Sequence, residues 1–161
     1  MEREDQTIRA LEEYGDMVRR ICFMHLKNYS DAEDVFQEVF LSYMLRGGKP
    51  FESHAHEKAW LIRVSINACK DSLKSFFRRK IVPLEELSGT ISYTQETHDI
   101  LDAVLHLPAK YRDVIYLFYY EGYTAIEIGE ILHKNANTIY TWLSRGKAEL
   151  KKQLGGSLIG T

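Results

Sequence analysis

Apolar positions recur with helical spacing along most of this chain, and the residues that punctuate helices are sparse. Proline occurs only at Pro50, Pro83 and Pro108, and glycine pairs only at Gly47-Gly48 and Gly155-Gly156. The pattern predicts an all-α protein. A first helix of mixed polarity runs from about Thr7 to Lys27, and a second follows Ser30-Asp31-Ala32-Glu33, which has the form of a capping box. Val35, Phe36, Val39, Phe40 and Tyr43 give this second helix its apolar stripe, while Asp31, Asp34 and Glu38 share another face. After a loop from Arg46 to His56, a long helix spans about Glu57 to Phe77, with Trp60, Leu61, Val64, Ala68 and Leu73 expected inside and Arg63, Asn67, Lys70, Lys74 and Arg78 outside.

The stretch Lys80 to Gln95 holds Pro, Gly, Ser and Thr without a sustained period, which marks a domain boundary. Beyond it, Leu107-Pro108 opens a helix with Val114, Leu117 and Phe118 as its apolar face, ending at Glu121-Gly122. Thr124-Ala125-Ile126-Glu127 is another capping box, and Ile128, Ile131 and Leu132 form the stripe of a short helix. A tight turn near His133-Lys134-Asn135 leads to a last helix from about Ala136, whose core stripe is Ile139, Leu143, Gly146, Leu150 and Leu154. The expected architecture is therefore two small helical domains, residues 1–79 and 97–154, joined by a flexible linker at 80–96 and followed by a frayed tail at 155–161. The second is a four-helix domain containing a helix-turn-helix.

Charge changes this picture more than composition does. The chain of 161 residues carries a formal net charge of -2. Divided by segment, residues 57–80 carry +5 and 133–161 carry +4, against -4 for 1–56 and -7 for 81–132. Two basic blocks separated by acidic ones are local electrostatic footprints of the kind that nucleic acid attracts. Solvated helix faces are the plainer explanation of the same charges. The charged amino-terminal residues and the brevity of the apolar run from Ile115 to Tyr120 point to a cytoplasmic protein without direct membrane insertion. Cys22 and Cys69, each without a nearby partner, read as buried small hydrophobes in a reducing compartment.

In a helix-turn-helix the second helix enters the major groove. Thr138, Tyr140, Thr141, Ser144 and Arg145 lie off the core stripe of the last helix, where they can reach bases, and Lys147, Lys151 and Lys152 can hold phosphates. Arg145 has the planar donor fork that matches guanine O6 and N7.

The stretch YRDVIYLFYYEGYTAIEIGEILHKNANTIYTWLSRGKAEL resembles the fourth conserved region of bacterial RNA polymerase sigma factors of the extracytoplasmic-function group. SDAEDVFQEVFLSY is similar to that group's polymerase-binding helix, and AWLIRVSINACKDSLKSFFRR to its promoter-melting helix. The resemblance implies that Asp31, Glu33, Asp34, Gln37 and Glu38 dock on core RNA polymerase. It implies that Phe51, Ser53 and His54 of the loop, with Arg63, Asn67, Lys70, Lys74, Arg78 and Arg79, handle the minus-10 promoter element. Thr138, Tyr140, Thr141, Ser144, Arg145 and Lys147 would read the minus-35 element. An anti-sigma factor is a further implied partner, and could hold the protein at a membrane. Tyr140 and Trp142 stand where the family often has basic side chains, Asn137 where it often has Gly, and Lys134 where it usually has an apolar residue.

No catalytic residue, cofactor, metal or small-molecule substrate is expected. His54 and His56 diverge on a helix and lack partners at zinc-like spacing, Gly47-Gly48-Lys49 lacks the glycine and Ser or Thr of a phosphate loop, and neither cysteine is joined to a histidine by a motif. Two rival readings remain at this point. A stand-alone helix-turn-helix regulator would bind palindromic DNA without polymerase, and a helical adaptor would show no salt-sensitive nucleic-acid binding.

Overall fold

The computed structural model describes residues 2–79 and 102–155, with side chains described through Ser75 in the first stretch. The chain divides into two compact units, Met1–Thr90 and Ile91–Thr161. The expected linker at 80–96 and the tail from 156 onward lie outside the described residues. Among the described residues there is no strand, and no helix is long and apolar enough to cross a membrane.

In the first unit α1 (Glu2–Leu26), α2 (Tyr29–Leu45) and α3 (His54–Arg79) pack pairwise on one another. α1 begins five residues before the expected Thr7: Glu2, Glu4 and Asp5 fill its first turn, where negative charge opposes the positive end of the helix dipole. It stops at Lys27, whose φ of 57° turns the chain. Ser30 does not cap α2. Asn28, extended at φ -146°, accepts the Asp31 amide N–H at 3.0 Å and starts the helix earlier, so that Ser30 lies within its first turn. α3 likewise begins at His54 instead of Glu57, because the Ser53 hydroxyl accepts the His56 N–H and the Ser53 carbonyl accepts the Glu57 N–H.

α3 packs against two helices, which widens its buried face to Leu61, Ile62, Ser65, Ile66 and Cys69. Ser65 is tolerated there because its hydroxyl donates to the Leu61 carbonyl. Trp60, Val64, Ala68 and Leu73, expected inside, are only half-buried. Val18, Ile21 and Cys22 of α1 and Val35, Phe36, Val39 and Phe40 of α2 complete the core, and both thiols are fully buried.

In the second unit residues 102–105 are helical, and α4 (Ala109–Ile115) continues into a π-helical turn, Tyr116–Tyr120. α5 (Ala125–Leu132) and α6 (Ala136–Gln153) follow. Val114, Ile115, Tyr116 and Leu117 are all buried, and the wider π turn carries Phe118 outward to 38% exposure, correcting its expected place in the core. The Thr124 capping box forms as expected, with Thr124 Oγ1 accepting the Glu127 N–H and Glu127 accepting the Thr124 N–H. His133, in the left-handed region, ends α5, and Asn135 caps α6 by accepting the Asn137 N–H. Gly129 lies so close to this turn that a β-carbon would stand 2.6 Å from the Lys134 carbonyl oxygen. Gly146 lets α6 approach α4, where a β-carbon would meet Ile115 Cγ1 at 3.1 Å.

Candidate functional site

Three surfaces carry the residues selected from sequence. On α2, Glu33, Asp34, Gln37 and Glu38 are exposed and Asp31 is half-buried. Glu33 turns back onto α1, where Arg19 pairs with it at 3.3 Å while its guanidinium lies 4.0 Å from the Phe36 ring centroid. Asp34, Gln37 and Glu38 form the outward face, and the same stripe continues into Leu41 and Leu45, 51% and 69% exposed. An acidic and hydrogen-bonding head with an apolar tail suits a protein partner carrying basic groups.

The second surface joins α3 to the loop before it. Asn67, Lys70 and Lys74 are exposed on one face, with Arg63 half-buried at its start; Arg78 and Arg79 lie in the last turn, and their side chains are outside the description. Ser53 and His54 are exposed at the loop's end. Phe51 is half-buried against Tyr43, Trp60 and His56, with ring centroids 6.0, 5.8 and 5.3 Å away. Trp60 thus closes the base of the loop.

Beneath the loop is a polar cluster with no local sequence signal. Glu57 is buried, and its Oε2 accepts from Arg9 of α1 and from the Tyr43 hydroxyl of α2, each at 2.6 Å. Burial alone would raise the Glu57 pKa, but the Arg9 guanidinium and the Tyr43 hydroxyl outweigh it and bring the carboxyl below its ordinary range. Burial, then the carboxylate, pushes the Tyr43 hydroxyl up to about 12, and the Glu57 partner raises Arg9. Ligand atoms of Glu13, His54 and Glu57 lie within 4.8 Å of one another, a grouping that the spacing of His54 and His56 could not disclose. Arg9 pairs with both carboxylates, at 3.1 Å to Glu13, and already supplies a positive charge there.

The third surface is α6. Tyr140, Thr141, Ser144, Arg145 and Lys147 are exposed opposite the buried Ile139, Gly146 and Leu150, and Thr138 is half-buried at the edge. Thr141 also donates its hydroxyl to the Asn137 carbonyl. Trp142 sits on the flank of α6 facing α4, where the Lys110 ammonium lies 5.6 Å from its ring centroid and 5.3 Å from that of Tyr111. Trp142 is therefore part of the packing of the unit, whereas Tyr140 belongs to the exposed face.

Comparison with known proteins matches residues 10–79 to the family model Sigma-70 region 2 and residues 97–150 to Sigma-70, region 4. The chain is 30% identical to the ECF RNA polymerase sigma factor SigW of Bacillus subtilis, covering 88% of this chain and 84% of that protein. It is 26% identical to the ECF RNA polymerase sigma factor SigM of Mycobacterium tuberculosis, covering 86% and 71%. Its fold is similar to that of the sigma factor RpoE solved with the anti-sigma factor NepR from Bartonella quintana, with a TM-score of 0.77 at 19% identity over 92% of this chain and 96% of that one.

Proposed function

The chain belongs to the extracytoplasmic-function group of RNA polymerase sigma factors, and from that premise we infer that it directs promoter-specific initiation by docking on core polymerase through α2, opening the minus-10 element with the first unit and reading the minus-35 element with α6. The observation that carries this is the presence in one chain of a region 2 and a region 4 match, with an exposed acidic face on α2, a basic stripe on α3 and a polar face on α6. Strand opening needs no bond cleavage. It needs a surface that holds unstacked bases and grips the displaced phosphates, which aromatic and basic side chains supply. Two modest DNA contacts linked through one polymerase raise each other's effective concentration and give selectivity that neither has alone. The reading places the protein in the bacterial cytoplasm, with an anti-sigma factor as its restraining partner, and divides it into residues 1–79, a linker at 80–96, residues 97–154 and a tail.

Purified core polymerase should initiate at new start sites on a promoter library when this protein is added. Changing Asp34 and Gln37 together to Ala should reduce those transcripts by about tenfold or more, the scale expected for polar anchors at the centre of an interface. No new transcript from folded protein with competent core, together with binding to palindromic duplex in the absence of polymerase, would instead establish the stand-alone regulator. Within α6, Arg145→Ala should relax preference at one minus-35 base pair by about 1–3 kcal/mol. Lys147→Ala should weaken all sequences alike and lower the salt slope by about one, which a salt titration against a set of duplexes separates from the first effect.

A further inference from the structure

The loop after α2 must turn sharply and still present a defined surface. Gly47 and Gly48 both adopt left-handed φ, +79° and +77°, a conformation that glycine enters freely and that by itself leaves the segment many alternatives. What holds the loop is the residue just before the turn. The Arg46 guanidinium lies 3.7 Å from the Phe51 ring centroid and 5.1 Å from that of Trp60, and its Nη1 donates to the Lys49 carbonyl at 3.0 Å. One side chain thus bridges the end of α2, the middle of the loop and the first full turns of α3. From the other end, His56 Nδ1 accepts the Glu52 N–H at 3.2 Å while its ring meets Phe51 edge-on. Phe51 is the shared anchor of both clamps. Left outward at the end of the loop and the start of α3 are Glu52, Ser53 and His54, all exposed.

We propose that Arg46 is a positioning residue for minus-10 recognition: by clamping Phe51 and the Lys49 carbonyl it fixes the loop in advance, so that Glu52, Ser53 and His54 meet an unstacked promoter base as a preformed surface. The proposal rests on reading this loop as a base-binding surface, and it makes Phe51 an anchor instead of a base contact. Preorganisation is effective because a loop ordered only on binding would lose affinity to that ordering. Arginine suits the task and lysine does not: the planar guanidinium lies over an aromatic ring and still directs an N–H along its edge to a carbonyl, whereas an ammonium has no such plane.

The test uses the full chain with core polymerase on a responsive promoter carrying each base in turn at every minus-10 position, with open-complex formation read from the fluorescence of 2-aminopurine placed in the melted strand. Arg46→Met should bind core polymerase within about twofold of the parent and unfold within about 6 °C of it, the scale of one lost ring contact. It should lose about tenfold discrimination at one minus-10 position and keep the others, the scale of one good base contact. Arg46→Lys should recover only part. An unchanged discrimination profile overturns the proposal. So does a uniform loss at all positions with a flatter salt dependence, which marks Arg46 as a phosphate contact, and so does a loss matched by weaker polymerase binding or by an unfolding temperature lowered beyond that range. Glu52→Ala and His54→Ala are measured beside it. If neither alters discrimination at any position, the base-binding reading of the loop fails; if they alter it and Arg46→Met does not, only the role of Arg46 fails.

Discussion

Valine in place of Gly129 is expected to reduce minus-35-dependent transcription to background while the first unit stays folded. The cause is local and steric. A β-carbon at this position would stand 2.6 Å from the Lys134 carbonyl oxygen and 3.6 Å from the Ala136 amide nitrogen, both of them backbone atoms of the turn that orients α6. The turn is also tied to the same place by a hydrogen bond, since the Lys134 N–H donates to the Gly129 carbonyl at 2.8 Å. It cannot withdraw without breaking that bond and shifting Asn135, the cap of α6. Alanine would regain about 1 kcal/mol of helix propensity against an overpacking cost of about 1–3 kcal/mol, leaving a modest net loss. Valine adds two methyl groups, so its cost lies at the upper end and falls on the angle between the two helices. Minus-35 duplex binding and the far-ultraviolet melting curve of the full chain measure it. A Gly129→Val protein with parental DNA binding would show that the approach of α5 to the turn does not set the geometry of α6.

The second large effect concerns Glu57. Glu57→Gln removes the charge that faces Arg9 and the Tyr43 hydroxyl beneath the loop. Breaking a buried pair typically costs about 3–5 kcal/mol, but the Arg9 side chain is 38% exposed and partly solvated, so about 2 kcal/mol is expected here. That lowers the midpoint of the first unit's thermal transition by roughly 10 °C. Because the folded pKa of Glu57 is depressed, its stabilisation is fully present above the ordinary glutamate value of about 4.3 and is lost as the pH falls through the lower folded value. Glu57→Gln should therefore flatten the acid limb of the stability curve. On the alkaline side Tyr43 stabilises the fold until the pH passes its ordinary value of 10.0, and the contribution fades towards about 12. The triple change Arg9→Met, Tyr43→Phe and Glu57→Leu should restore much of the loss, since it replaces the whole cluster with apolar groups of similar volume and leaves the Tyr43 hydroxyl no buried position without an acceptor. Melting curves of the three proteins between pH 3 and 11 decide it, and an acid limb that Glu57→Gln leaves unaltered would be the contrary result.

Features whose cause is local are legible in the sequence. The Thr124 box needs only Thr124 and Glu127, three residues apart, and the core stripe of α6 needs only its own spacing. Ser30 and Asn28 offer the same capping chemistry two residues apart, and the choice between them falls to the left-handed Lys27, which sequence does not display. The inward face of α3 keeps Leu61 but is wider than its spacing predicts, because the helix packs against two others at once and periodicity reports the direction of one face but not its width. Phe118 kept its place in a helical pattern that the π turn breaks. Arg9, Tyr43 and Glu57 come from three helices: in sequence Arg9 and Glu57 are ordinary surface types and Tyr43 one more member of the apolar stripe of α2, so nothing local joins them. Arg46 looks like one more basic residue at a helix end until its contacts with Phe51, Trp60 and Lys49 are seen.

Both cysteines of the chain, Cys22 and Cys69, lie in the core of the first unit, and the second unit has none. A thiol reagent added to the native protein can react only when that core opens, so its rate counts the openings of one unit and is silent to the other. The protein carries a built-in clock for its own first half, readable with or without polymerase, and docking of α2 should slow it.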